Sequence, residues 1–105
     1  MSKSALELQL AQQIRDAELP EPEREYRFHK TRQFRADFAW PPHRLIVEVQ
    51  GGTYIRGRHV RGAGYDDDCR RMIEAQLQGW DIFYVTARML NDNYAIAKIA
   101  ERLTT

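Results

Sequence analysis

Residues 33–52, QFRADFAWPPHRLIVEVQGG, constrain the fold of this chain more than any other stretch. Apolar and polar residues alternate over residues 34–40, which is the period of a half-buried strand. Leu45–Val49 is a short apolar run rich in β-branched residues, and the Pro41-Pro42 pair breaks the chain between the two runs. The stretch therefore predicts two antiparallel strands joined by a tight turn.

A hairpin symmetric about Pro42 and His43 places residues whose numbers sum to 85 opposite each other. Asp37 then faces Glu48, and Arg35 faces Gln50. The alternation predicts a polar face formed by Arg35, Asp37, Glu48 and Gln50. It predicts a core face formed by Phe34, Ala36, Phe38, Trp40, Leu45, Val47 and Val49.

The predicted pairing of Asp37 with Glu48 has an electrostatic cost. Directly opposite residues have Cβ atoms roughly 5 Å apart, and like charges there destabilise a sheet. A divalent cation removes the repulsion, and Mg²⁺ is often held by one or two carboxylates together with substrate phosphate and water. Asp37 and Glu48 are therefore candidate metal ligands. The residues leave an alternative open, in which both are solvated surface acids or pair with Arg35 and Arg44.

Length and composition indicate one soluble domain over residues 1–105. The chain is 43% hydrophobic and 30% charged, which is ordinary for a globular protein. No apolar run approaches the ~20 residues of a membrane helix, and the N-terminus is too polar for a signal peptide. The single cysteine, Cys69, excludes an internal disulfide, so a cytoplasmic location is expected.

The net charge of +1 argues against a generally basic nucleic-acid coat, but the charge is unevenly distributed. Residues 1–23 contain two basic and five acidic side chains, whereas residues 24–35 contain five basic and one acidic. A basic surface beside an acidic site suits an enzyme that acts on phosphodiesters. A solvated surface of mixed charge is the simpler interpretation.

Hydrophobic spacing predicts the remaining elements. We expect a helix at residues 4–17 whose apolar stripe comprises Leu6, Leu10, Ile14 and Ala17. It would begin with a Ser4–Glu7 capping box, although Glu7 could instead point toward the sheet. A strand at 25–29 precedes the hairpin, and another follows at Asp81–Val85. A last helix, capped by Asn91 or Asp92, is expected to point Ile96, Ile99, Ala100 and Leu103 inward.

A further helix is predicted at residues 65–78. Its apolar stripe would comprise Cys69, Met72, Ile73, Gln76 and Leu77, with Arg70, Arg71 and Glu74 outside it. The acids at 66–68 suit the first turn of a helix, where they interact favourably with its dipole. This explains the acidic run without a metal site.

Residues 51–64, GGTYIRGRHVRGAG, are rich in glycine and arginine. Arginines can hold phosphates and an aromatic ring can stack on a base. The candidate nucleic-acid contacts here are Tyr54, Arg56, Arg58, His59 and Arg61. No GKS or GKT follows, so this is not a Walker loop, and a mobile surface loop is the alternative.

The predicted order α-β-β-β-α-β-α resembles a minimal PD-(D/E)XK nuclease. The resemblance rests on Asp37 in RADFAW, on Glu48-Val49-Gln50 in LIVEVQGG and on the ending QLQGWDIFYVTARML, and it covers nearly the whole chain. The chain is most similar to small very-short-patch-repair-like and phage repair endonucleases and to Holliday-junction resolvases. The resemblance implies an α/β fold with a restriction-endonuclease-like αβββαβ core, a central mixed four-stranded sheet flanked by helices, and a C-terminal helix.

The same resemblance implies a metal-dependent DNA endonuclease in DNA repair, recombination or phage DNA processing. Asp37, Glu48 and the Val49 carbonyl would bind Mg²⁺ or Mn²⁺, with Glu7 matching a first-helix acid of resolvase-like members. Gln50 stands where the family has lysine. It can position the attacking water but adds no positive charge, which Arg35 could supply as a DNA contact.

Two other classes remain open. One is a non-catalytic nucleic-acid-binding module with a degraded nuclease fold, in which Gln50 marks the lost activity. The other is a subunit whose sheet edge or last helix mediates assembly. Cutting both DNA strands would call for a homodimer. The three histidines lack the spacing of a ββα-metal site, which excludes an HNH nuclease.

Overall fold

A computed structural model describes residues 2–29, 34–51 and 63–105. Within them, four strands form one mixed sheet in the order β1-β2-β3-β4, with helices on both faces. The strands are β1 (Glu23–Arg27), β2 (Arg35–Trp40), β3 (Leu45–Val49) and β4 (Asp81–Val85), and the helices are α1 (Lys3–Asp16), α2 (Ala63–Leu77), α3 (Ala87–Asn91) and α4 (Tyr94–Leu103). The predicted α/β class with a mixed four-stranded sheet and a C-terminal helix is confirmed. None of the described helices is long and apolar enough to cross a bilayer.

The β2–β3 hairpin has the predicted register. Phe38 pairs with Val47, Ala39 with Ile46 and Trp40 with Leu45, so the paired numbers sum to 85. A 3-10 turn at Pro41–His43 makes the connection, and Arg44 closes it in the left-handed region with φ 55°. The two prolines fix their own φ angles, which explains why the turn is tight and the register unambiguous.

Strand β4 lies parallel to β3, with Leu45 opposite Asp81 and Val49 opposite Val85. Parallel neighbours require a crossover connection, and α2 belongs to it. Helix α2 covers one face of the sheet through Ala75, while α1 and α4 cover the other. All five residues of β3 are buried because helices cover both of its faces.

The larger core cluster lies between the sheet and the helices α1, α3 and α4. Five residues of the predicted core face belong to it: Phe38, Trp40, Leu45, Val47 and Val49. Of the predicted α1 stripe, Leu6, Leu10 and Ile14 belong to this cluster, whereas Ala17 is exposed at the end of the helix. Helix α4 contributes Ala95, Ile99 and Leu103. The prediction was wrong for Phe34 and Ala36, which pack on the opposite face with Phe28, Ala39, Ile46, Ala75 and Trp80.

A break in the β1–β2 ladder explains this error. Glu25 has φ 52°, in a region that non-glycine residues rarely adopt, and the ladder pairs residues on either side of it. The Arg24 guanidinium lies 4.2 Å from the centre of the Phe38 ring on one face. Tyr26 lies 5.7 Å from the Trp80 ring on the other. Both strands therefore change their inward face at this point, which strict alternation does not foresee.

The predicted apolar stripe of α2 was also wrong. Ile73 and Leu77 are 57% and 77% exposed, and Cys69 is exposed rather than a core residue. Ala75 is fully buried instead, so the helix faces the sheet along a line that includes Arg71. The small Ala75 side chain lets the helix approach the sheet closely, and apolar content alone does not reveal this.

The helix ends differ from the predictions in two places. Helix α1 is capped by Ser2, whose Oγ accepts a hydrogen bond from the Ala5 N–H at 3.1 Å, so the Ser4–Glu7 capping box was wrong. The chain after β4 forms two helices rather than one. Asn93 is the N-cap residue of α4, and Asp92 Oδ1 accepts from the Tyr94 N–H at 3.0 Å.

Candidate functional site

Asp37 and Glu48 are neighbours across the β2–β3 hairpin. Extending the register by one residue beyond the pair Phe38–Val47 places them opposite each other, as predicted. Asp37 Oδ2 accepts a hydrogen bond from the Val49 N–H at 2.9 Å. This bond holds the Asp37 carboxyl group at the end of β3, beside Glu48.

Glu48 is the buried charged residue in the described part of the chain, and it is 4% exposed. Burial raises its pKa from 4.5 to about 7, against the effect of Arg71, and repulsion from Asp37 adds to the rise. Its Oε2 atom has no hydrogen-bond partner among the described residues. A buried carboxylate oxygen without a partner is costly, so it indicates a site built for a ligand.

Arg71 of α2 is the partner of Glu48 that the sequence analysis missed. Its Nη2 lies 3.0 Å from Glu48 Oε1 and 3.1 Å from Asp68 Oδ1, and its Nη1 donates to the Arg35 carbonyl at 3.3 Å. Burial lowers the pKa of Arg71, but Glu48 and Asp68 outweigh that effect and raise it. The guanidinium therefore stays charged. The sequence gives little indication of this role, because the contact of Arg71 with Glu48 depends on which face α2 presents to the sheet.

Lys3, at the start of α1, is the second missed cation. Its Nζ lies 3.2 Å from Asp37 Oδ1, and its side chain is 48% exposed against 15% for Asp37. A Cβ added to Gly51 would lie 3.1 Å from the Lys3 Cβ. Glycine at this position therefore lets the start of α1 approach the end of β3.

Tyr84 completes the buried side of the site. It lies opposite Glu48 in the parallel β3–β4 register. Burial raises the pKa of Tyr84, although Arg71 lowers it, so the phenol stays neutral at physiological pH. A neutral hydroxyl adjoins the Glu48–Arg71 pair without altering its charge balance.

Glu7 reaches the same region but is held by a different partner. Its Oε1 lies 2.7 Å from Arg24 Nη2, and Arg24 Nε donates to the Asp37 carbonyl at 3.3 Å. A cleft of about 360 Å³ opens here, and its lining consists mainly of charged side chains. The lining residues are Lys3, Ser4, Glu7, Glu25, Arg35, Ala36, Asp37 and Arg71. Glu7 and Asp37 thus share a cleft, as expected.

Arg35 and Gln50 do not form the cross-strand pair that was predicted. Arg35 Nη1 pairs with Glu25 Oε1 at 3.2 Å on the rim of the cleft, where both side chains are exposed. The β2–β3 pairing does not extend to Arg35 and Gln50 in the described register. Gln50 follows β3 with an exposed side chain, and its N–H donates to the Val85 carbonyl at 2.8 Å. The candidate DNA contacts Tyr54, Arg56, Arg58, His59 and Arg61 lie outside the described residues, so they stay predictions.

The donor atoms of the site determine which metal it could hold. Across residues 2–29, 34–51 and 63–105, no three Asp, Glu, His or Cys side chains converge as a ready-made metal cage. Asp37 and Glu48 still supply two hard oxygen ligands, and Glu48 Oε2 is buried without a hydrogen bond from that part of the chain. This donor set fits an ion that completes its shell with water and substrate, as Mg²⁺ usually does.

Comparisons with known proteins indicate no function for this chain. No protein-family model, no curated protein and no solved structure matches this chain. The functional conclusion therefore rests on the side chains of the cleft.

Proposed function

We propose that this protein is a metal-dependent DNA endonuclease of the PD-(D/E)XK type that hydrolyses phosphodiester bonds. The observation that carries the proposal is the buried Glu48 carboxylate, one oxygen of which has no hydrogen-bond partner among the described residues, across the hairpin from Asp37, which lines the cleft. Buried acids with strongly shifted pKa values are concentrated at functional sites. The cations that line the cleft suit a phosphate-bearing substrate.

The residues have distinct roles in this proposal. Asp37, Glu48 and the Val49 carbonyl would hold Mg²⁺ or Mn²⁺, which when bound stabilises charge on the phosphate oxygens. The Val49 N–H fixes the orientation of Asp37, and the exposed Gln50 amide orients the attacking water. Arg24 holds Glu7 beside the cleft, where it can accept a hydrogen bond from that water.

The biological setting and partners follow from the same proposal. DNA is the substrate, in repair, recombination or phage DNA processing. Arg35 on the rim and the arginines of residues 51–64 would hold the strand. A homodimer would bring one cleft to each strand of a duplex.

Nicking of supercoiled plasmid tests the activity. We expect nicking in Mg²⁺ or Mn²⁺ and none in EDTA. Asp37→Asn should abolish it without unfolding the hairpin, because the amide oxygen still accepts the Val49 N–H. The matched control is Asp81→Asn, which removes an exposed acid that pairs with Arg102. Equal nicking by the wild type and Asp37→Asn would refute the site.

A second function is favoured by one observation, the glutamine at position 50. A side chain without charge there suits a non-catalytic nucleic-acid-binding module. Such a module would bind labelled DNA in Ca²⁺ and leave plasmid intact in both Mg²⁺ and Mn²⁺. Nicking that is lost in Asp37→Asn excludes it.

A further inference from the structure

Each carboxylate of the site already has a cation beside it. Lys3 Nζ is 3.2 Å from Asp37, and Arg71 Nη2 is 3.0 Å from Glu48. The two cations come from different helices and reach the sheet from distant parts of the chain. With both carboxyl groups ionised, the two positive charges balance the two negative charges, so the site is then close to neutral without a metal.

A divalent cation changes that balance. Asp37 Oδ1, which would bind the ion, is the oxygen that Lys3 contacts, and an ion held by Glu48 Oε2 repels the Arg71 guanidinium beside Oε1. The cleft would then hold two extra positive charges, which favour a phosphodiester anion in a partly desolvated site. In this state Lys3 loses its anionic partner Asp37, and Arg71 loses one of its two anionic partners and keeps Asp68.

We propose that Lys3 and Arg71 are phosphate-binding residues that pair with Asp37 and Glu48 until a divalent cation binds those carboxylates, and that they then contact the DNA backbone. This inference rests on the proposed nuclease function. Lys3 and Arg71 would give the cleft the positive charge that the neutral Gln50 side chain does not supply.

The positions of both cations support the exchange. The Lys3 side chain is 48% exposed and sits on a helix end, so it can turn from Asp37 to a ligand in the cleft. Arg71 lines the same cleft and keeps a second anchor on Asp68 at 3.1 Å. A guanidinium can hold phosphate through two parallel hydrogen bonds.

Lys3→Met separates the two halves of the exchange. Without the competing ammonium, Mn²⁺ should bind roughly 2–5-fold more tightly, which is the range of a partly exposed ion pair. DNA binding in Ca²⁺ should weaken, and the slope of log affinity against log salt should fall by about 0.9 because one phosphate contact is lost. DNA binding in EDTA should stay unchanged, since Lys3 is then held by Asp37.

Lys98→Met is the matched control. Lys98 is 47% exposed and pairs with Glu101 at 3.2 Å on α4, so the variant loses the same charge from a similar ion pair. It should change neither Mn²⁺ affinity nor the effect of Ca²⁺ on DNA binding. If Lys3→Met behaves like Lys98→Met in both titrations, the exchange is refuted.

Arg71 is tested with Arg71→Lys, because Arg71→Met leaves the buried Glu48 without its charged partner and threatens folding. Lysine keeps the charge but not the planar fork, so DNA affinity in Ca²⁺ should fall about tenfold, as for one lost charged hydrogen bond. The affinity of Arg71→Lys for DNA in EDTA should equal that of the wild type. Equal losses in Ca²⁺ and EDTA would contradict the inference.

The experiment is an Mn²⁺ titration by electron paramagnetic resonance without DNA, with fluorescence anisotropy of a labelled duplex in Ca²⁺ or EDTA. If the wild type binds no more Mn²⁺ than Asp37→Asn, the proposed function itself fails. If the wild type binds Mn²⁺ more tightly than Asp37→Asn does, but Lys3→Met binds it no more tightly than the wild type, the exchange alone fails. Tighter Mn²⁺ binding together with weaker Ca²⁺-dependent DNA binding in Lys3→Met supports both.

Discussion

At the residue scale, Glu48 makes the stability of the metal-free protein depend on pH. Its pKa is about 7 in the folded state against 4.5 in the unfolded chain, and burial is the main cause. Between those values the folded state keeps a proton that the unfolded chain releases. The contribution of Glu48 to stability is therefore fully present below pH 4.5 and is lost as the pH rises through 7, by about 3 kcal/mol.

Glu48→Gln should remove this dependence. We expect its unfolding free energy, relative to the wild type, to rise by up to about 3 kcal/mol between pH 4.5 and pH 8, because glutamine does not ionise. Urea denaturation in EDTA at several pH values measures the difference. Glu101→Gln changes an exposed acid and serves as the control. A wild-type curve parallel to that of Glu48→Gln would contradict the pKa assignment.

Residue identity predicted half of the candidate site. Asp37 and Glu48 could be paired from strand alternation and the proline turn, because both signals are local. Lys3 and Arg71 could not, since their roles depend on how two helices dock on the sheet. The lack of a hydrogen-bond partner for Glu48 Oε2 among the described residues likewise appears only when both faces of β3 are covered.

At the element scale, α2 gives the clearest test of the docking. Ile73→Ala should change the unfolding free energy by no more than about 0.5 kcal/mol, because Ile73 is 57% exposed. Ala75→Leu should cost about 1–3 kcal/mol, because the alanine is fully buried against the sheet and a larger side chain overpacks it. Chemical denaturation at one pH measures both. A larger loss of unfolding free energy in Ile73→Ala than in Ala75→Leu would support the apolar stripe inferred from sequence.

The elements themselves were largely predictable where one physical signal dominated. Strand β4 and the α1 stripe have clear periodicity, and the structure places them as expected. The face change at Glu25 arises from a positive φ at a residue type that seldom adopts one. Helix α3 is only five residues long, too short for a periodic signal. These features depend on tertiary packing rather than on local sequence.

At the scale of the whole molecule, the site draws on almost every part of the fold. Lys3 comes from α1, Asp37 from β2, Glu48 from β3 and Arg71 from α2, and Tyr84 adjoins them from β4. No short fragment contains the charge balance of the cleft. The site is therefore complete only when all of these elements have docked.

The parallel β3–β4 pair bears on how fast the chain folds and unfolds. The β2–β3 hairpin closes a short loop, whereas β4 joins β3 only after the long crossover through α2 has closed, at greater cost in chain entropy.

Phe38→Leu, in the hairpin core, should mainly slow refolding, and Val85→Ala, in β4, should mainly speed unfolding. Stopped-flow kinetics over a range of urea concentrations measures both rates. If Val85→Ala slows refolding as much as Phe38→Leu does, β4 is already docked in the transition state. With the expected order, Asp37 and Glu48 meet across the hairpin before Arg71 arrives, so the late step of folding also relieves their repulsion.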